Sequence, residues 1–186
     1  MRERHAGDGL KVPPIMICSI TNRCNLSCKG CYNRAQHRPV ANELSAEEWR
    51  RIFNEARDLG VCIILLAGGE PLVRPDLFDI LARAQALGFR IGMVTNGWAL
   101  TAPVADRLAS VGLESIVVSL DGPRAQHDWL RNRDGAFDRA VGALHHLVDR
   151  RIPIVEAITC VTPGSLPQLE ATYEIVRSTG ANFWRV

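Results

Sequence analysis

From residue 15 onward the chain alternates two textures: short runs rich in β-branched residues, and longer stretches in which apolar residues recur every three or four positions. That is the pattern of βα units built round a parallel sheet. It predicts strands at 15–20, 61–67, 89–95, 115–120, 152–161 and 181–186. Most of these runs are apolar without strict alternation, as strands buried on both faces are. Between the first two, "LSAEEWRRIFNEARDLG" sets Ser45 and Glu48 in capping-box spacing, puts Trp49, Ile52, Phe53, Ala56 and Leu59 on one face, and stops at Gly60. "RPDLFDILARAQALG" repeats the pattern with Leu77, Ile80, Leu81, Ala84 and Leu87 and ends at Gly88. Further helices are expected at 101–111, at 136–150 with Phe137, Ala140, Val141, Leu144 and Val148 inward, and at about 165–179. The sum is five βα units and a sixth strand, an α/β fold that holds its functional groups at the C-terminal ends of the strands.

At 186 residues, 47% of them hydrophobic, the chain has material for one sizeable core and too little for two comfortable domains. Lys and Arg number 22 against 20 acidic residues and are spread along the helical stretches, so nucleic acid is not an expected partner. No apolar run approaches the roughly 20 residues of a membrane span. The opening "MRERHAGDGLK" is charged, with no apolar segment of a signal peptide behind it. A cytoplasmic protein without a membrane partner is expected.

The informative residues gather where the strands end. Strand 1 leads into "CNLSCKGCY", strand 2 ends in "AGGEP", strand 3 in "VTNG" and strand 4 in "VSLDG". Cys24, Cys28 and Cys31 form C-x3-C-x2-C with no fourth Cys or suitably spaced His nearby. A structural zinc site takes four protein ligands, and an electron-transfer iron–sulfur cluster normally takes four cysteines. Three leave a position open. Spacing alone favours a cluster with an open site, with a zinc site completed by a remote ligand and plain buried thiols as alternatives.

With these motifs the chain, from about residue 15 to its end, resembles a radical S-adenosylmethionine (SAM) enzyme of the peptide- and cofactor-maturing branch, which includes SPASM- and twitch-type members. The resemblance implies a partial parallel (βα)6 TIM-like barrel. It also implies that Cys24, Cys28 and Cys31 hold three irons of a 4Fe–4S cluster whose fourth iron is left for SAM. Reductive cleavage of SAM to a 5′-deoxyadenosyl radical and hydrogen abstraction from a substrate would follow. Electrons would come from a reductant such as ferredoxin or flavodoxin, and the substrate would be a peptide or a small cofactor precursor. In "GGEP", Gly68 and Gly69 would let the backbone approach the methionine part of SAM, and the Glu70 carboxylate would accept from its ammonium. Ser119 and Arg131 would bind the carboxylate and ribose, where an Arg fork suits better than Lys. Asn96 is either a left-handed turn residue or part of the pocket wall. Asp121 is expected to shape its turn rather than touch SAM. One position departs from the family pattern: the residue before the last cysteine, usually aromatic and near the adenine, is Gly30, with Tyr32 just beyond Cys31. Adenine contact through a side chain at position 30 is thereby excluded.

The remaining cysteines, Cys18, Cys62 and Cys160, lie in strand-like runs and are expected to be buried structural thiols. Trp49 and Phe53 read as core residues. His145 and His146 are adjacent on a helix, point in different directions and read as surface or boundary residues. The chain ends in "GANFWRV", inside an apolar strand. Residues 1–14 therefore read as an N-terminal extension and 15–186 as a core domain truncated after strand 6 and incomplete at its C-terminus. The competing functional reading is a metal-binding module without turnover, holding zinc or an iron–sulfur group, or an inactive SAM-binding fragment.

Overall fold

A computed structural model describes residues 12–31, 33 and 43–186 of the chain. Six strands, β1 (Ile15–Ser19), β2 (Ile63–Ala67), β3 (Arg90–Thr95), β4 (Ser115–Ser119), β5 (Ile154–Ile158) and β6 (Phe183–Arg185), form one sheet in sequential order. All pairs are parallel, with Ile15 beside Ile63 at one edge and Ile158 beside Arg185 at the other. The helices α1 (Ala46–Leu59), α2 (Leu77–Ala86), α3 (Ala102–Ser110), α4 (Arg124–Arg131), α5 (Ala136–Asp149) and α6 (Leu169–Thr179) lie in the crossovers. This is the expected α/β architecture, six parallel strands in an open, barrel-like sheet.

Helix α1 shows why the local pattern was legible. Ser45 accepts from the Glu48 N–H while the Glu48 carboxylate accepts from the Ser45 N–H at 2.8 Å, which satisfies two otherwise orphaned donors. Gly60, at φ 98°, closes the other end in the left-handed conformation. Its buried face carries Trp49, Phe53 and Ala56. These pack into one core with Leu81, Leu108 and Leu144 from other helices and with Ile64, Leu66, Ile91, Met93, Ile116 and Val118 from the sheet. Each fully buried aliphatic side chain there contributes roughly 1.5–3 kcal/mol.

Three expectations are corrected. Burial on both faces holds only in the middle of the central strands, where Gly92 and Val117 are enclosed. In β1, β2 and β5 burial alternates, and Ile15, Ile17 and Phe183 are exposed, because the helices cover one face of the sheet and these side chains are on the other. Second, the segment "RAQHDWLR" forms a helix, α4, which buries only His127 and Leu130. Third, the inward face of α5 is rotated: Ala136, Ala143 and Leu147 join Ala140 and Leu144, while Phe137, Val141 and Val148 are half-buried against the same core. His145 is exposed and His146 half-buried. Among the described residues no helix is long and apolar enough to cross a membrane.

Candidate functional site

The loop after β1 is held from below by the loop after β2. The Gly69 N–H donates to Thr21 O at 2.7 Å and the Glu70 N–H to Arg23 O at 2.8 Å. A Cβ on Gly68 would sit 2.3 Å from Thr21 O, and one on Gly69 2.2 Å from Arg23 O. Both glycines are therefore required by an intrachain contact: they let "GGEP" lie against the backbone that leads into Cys24.

Glu70 follows, almost fully buried. One carboxylate oxygen accepts from the Thr95 hydroxyl at 2.8 Å and the Leu72 N–H at 3.1 Å, and the other accepts from the Asn96 N–H at 2.7 Å. Burial pushes its carboxyl pKa up, opposed by those donors and by the positive charge of Arg131. Asn96 settles one open alternative. Its backbone lies outside the left-handed region, its Oδ1 accepts from the Trp98 N–H at 2.9 Å, and its Nδ2 donates to Asn25 Oδ1 at 2.8 Å and lies 3.8 Å from Cys24 Sγ. It thus shapes its own turn and lines the cavity. The Cys24 thiol pKa is raised by burial, partly offset by the Leu26 N–H donating to its sulfur at 3.5 Å.

On the opposite wall, Arg131 ends α4. Its Nε and Nη2 donate to Asp121 Oδ2 at 2.7 and 2.6 Å, and its Nη1 reaches Cys28 Sγ at 3.8 Å. Asp121 is buried, accepts from the Cys160 N–H at 3.0 Å through its other oxygen, and donates its own N–H to His127 Nδ1 at 3.0 Å. Its carboxylate bonds outside its own turn, to Cys160 and Arg131, and so fastens the loop after β4 to the end of β5 and to α4. The end of α4 is also tied to the cysteine loop directly: the Lys29 N–H donates to Leu130 O at 2.8 Å, and Asn132 Nδ2 to Ser27 Oγ at 3.1 Å.

The result is one cavity of about 160 Å³. Cys24, Cys28 and Cys31 line it from the β1 loop and Gly68, Gly69 and Glu70 from the β2 loop. Asn96, Ser119 and Arg131 complete the wall. All nine residues singled out in the sequence are brought together, with Asn33, Ala67, Val94 and Thr95, which were not. Thr95 and Val94 lie within "VTNG"; what the motif could not show is that Thr95 would serve Glu70. A larger depression of about 670 Å³ lies along the outer side of α4 and shares none of these groups. Tyr32 lies outside the described residues. Gly30 has φ 77° and open space where a Cβ would be.

Cys18 is buried, as expected, but Cys62 and Cys160 are exposed. β2 begins one residue after Cys62, whose backbone still bonds Pro14 and Arg90, and β5 ends two residues before Cys160. Both side chains lie at strand ends that the core does not cover.

Residues 18–176 match the model of the radical SAM superfamily, and the chain belongs to that family. It is 32% identical over 175 residues to an AdoMet-dependent heme synthase from Methanosarcina barkeri, an alignment that covers 94% of this chain and 50% of the relative. It is 34% identical to a PqqA peptide cyclase from Rhizobium meliloti, covering 80% of this chain and 40% of that one. Its fold superposes on SuiB from Streptococcus suis, solved with bound S-adenosylmethionine, with a TM-score of 0.84 at 19% identity, over 98% of this chain and 43% of SuiB. The chain thus spans half or less of the length of these relatives.

The family's cofactors are a 4Fe–4S cluster and SAM. The donor set fits them: three thiols share one cavity, and N–H donors of Leu26, Asn96 and Arg131 are directed at two of the sulfurs. Among the described residues no three His, Cys, Asp or Glu side chains meet at single-ion distance.

Proposed function

We propose that the chain is the radical-generating core of a radical SAM enzyme that matures a peptide or a cofactor precursor such as a tetrapyrrole, with residues 15–186 forming that core and 1–14 preceding it. The observation that carries the reading is the convergence of the cysteine triplet with "GGEP", Asn96, Ser119 and Arg131 on one cavity. A metal site that only stabilises a fold gives no reason for polar groups from three further strand ends to line the same space.

On this reading Cys24, Cys28 and Cys31 would hold the cluster beside SAM. When bound, the pair would supply reductive cleavage of the SAM carbon–sulfur bond and, through it, hydrogen abstraction from the substrate. The chain's own residues bind and orient. Glu70 offers to the SAM ammonium a carboxylate already fixed by three donors. Ser119 and Arg131 face it from β4 and α4 and offer a hydroxyl and a guanidinium to carboxylate and ribose. The substrate class is supported by the heme synthase and peptide cyclase among the relatives. A low-potential donor such as ferredoxin or flavodoxin is the partner this chemistry needs.

The test is anaerobic reconstitution with iron and sulfide, followed by a 5′-deoxyadenosine assay with dithionite. Single Ala substitutions of Cys24, Cys28 and Cys31 are each expected to abolish iron loading, whereas Cys62→Ala and Cys160→Ala are not. A full cluster in any triplet variant, or an electron paramagnetic resonance signal indifferent to added SAM, would overturn the assignment.

A further inference from the structure

The Arg131 guanidinium is already engaged on two sides within the chain. Its side chain is about 15% exposed, and two of its nitrogens are committed to Asp121, whose carboxylate is 1% exposed. Asp121 is in turn anchored at both ends, by the Cys160 N–H on Oδ1 and by its own N–H on His127 Nδ1. A buried charge pair of this kind costs desolvation, and removing one partner leaves the other charge buried and unpaired. What the geometry leaves is one guanidinium nitrogen, Nη1, directed at Cys28 Sγ.

We infer that Asp121 positions Arg131 so that its guanidinium donates to the Cys28 sulfur and sets the reduction potential of the cluster that sulfur holds. The inference rests on the cluster assignment above and goes beyond it, since a SAM-binding role for Arg131 requires neither Asp121 nor the contact with Cys28. The chemistry is direct. Reduction adds one electron to a site already made anionic by three thiolates. A fixed positive charge and a hydrogen bond at a ligating sulfur stabilise the more negative state and raise the potential. Backbone and side-chain N–H groups do the same at Cys24, from Leu26 and Asn96, whereas the donor at Cys28 is a formal cation. Asp121 is the positioning residue. Without it the Arg131 side chain, near the mouth of the site, has no reason to stay folded against the loop.

The experiment is a redox titration of the reconstituted chain, followed by electron paramagnetic resonance and carried out without SAM, so that SAM binding does not enter. Arg131→Gln is expected to load iron as wild type does and to shift the reduction equilibrium at least tenfold toward the oxidised state, ~59 mV lower for a one-electron couple. Arg131→Lys, a charge without the fork, should fall between the two. Asp121→Asn separates position from charge: deleting a nearby negative charge by itself raises the potential, so a lowered potential is expected only when Arg131 has left Cys28. An unchanged midpoint in Arg131→Gln overturns the inference, and an unchanged or raised midpoint in Asp121→Asn overturns the positioning role. Loss of iron from both Arg131 variants with secondary structure intact also overturns it, by making Arg131 a structural clamp. Failure of the wild-type chain to form a four-iron cluster would be a failure of the assignment beneath it, and reads out separately.

Discussion

Glu70 accepts a 2.7 Å hydrogen bond from the backbone N–H of Asn96, which joins the loop after β2 to the end of β3 and makes one rigid wall of two strand ends. Both carboxylate oxygens are used, by Thr95 and Leu72 on one and Asn96 on the other. A carboxamide has a single acceptor oxygen, so Glu70→Gln must turn an NH2 toward a donor. The variant is expected to lose about 1–3 kcal/mol of stability in urea denaturation of the apo chain, to retain iron, and to bind SAM roughly tenfold or more weakly through loss of a charge-assisted contact. Reduced stability with unchanged SAM affinity would confine Glu70 to its role in the wall.

Gly69→Ala probes the contact between the same loop and the backbone before Cys24. The added Cβ would stand 2.2 Å from Arg23 O, a backbone atom that cannot swing aside as a side-chain tip can. The loops must separate, and the hydrogen bonds from Gly69 and Glu70 to Thr21 and Arg23 must lengthen. Iron loading after anaerobic reconstitution should fall well below wild type although no cysteine has changed. Full loading together with an unchanged melting temperature would show that the cysteine loop does not depend on "GGEP" for its shape.

The limits of the sequence reading have physical reasons. Helix α1 was legible because its cap, apolar face and stop signal are all local, and the parallel sheet because texture alternates along the whole chain. The site was legible as motifs at strand ends. Helix α4 was not, since it buries only His127 and Leu130 and shows its Trp129 to solvent, which leaves no apolar periodicity to detect. The partnership of Asp121 with Arg131 depends on α4 folding back over the cysteine loop, a tertiary event with no local signature. Cys62 and Cys160 were misplaced because an apolar run does not mark which of its side chains the rest of the fold covers.

His127 supplies a pH dependence. It is wholly buried, and burial together with the charge of Arg131 pushes its pKa down to about 4, against the pull of Asp121 and Asp128. In the unfolded chain a histidine titrates near 6.5. Between those values the unfolded chain binds more protons than the folded one, so stability is full above about pH 6.5 and falls as pH drops toward 4, by roughly 3 kcal/mol in all. His127→Gln keeps an acceptor for the Asp121 N–H and removes the titration. The difference in unfolding free energy between the variant and wild type, measured by urea denaturation across this window, should therefore vary with pH. A constant difference would mean that His127 is not held neutral by the fold.

The thiols order themselves by exposure and ionisation. Cys18 lies in β1 within the core, and burial pushes its pKa up to about 12, so at pH 8 only about one molecule in ten thousand carries the reactive thiolate. Cys62 and Cys160 are exposed at opposite ends of the sheet. In the iron-loaded chain an alkylating reagent should modify Cys62 and Cys160 first. Removal of the iron with a chelator should then open Cys24, Cys28 and Cys31 to the reagent, and Cys18 should react only on unfolding. Mass spectrometry of timed, quenched samples reads the order directly. Labelling of Cys18 on the time scale of Cys62 would show that β1 is not seated in the sheet, and the cysteine loop it leads into would lose the support on which the site depends.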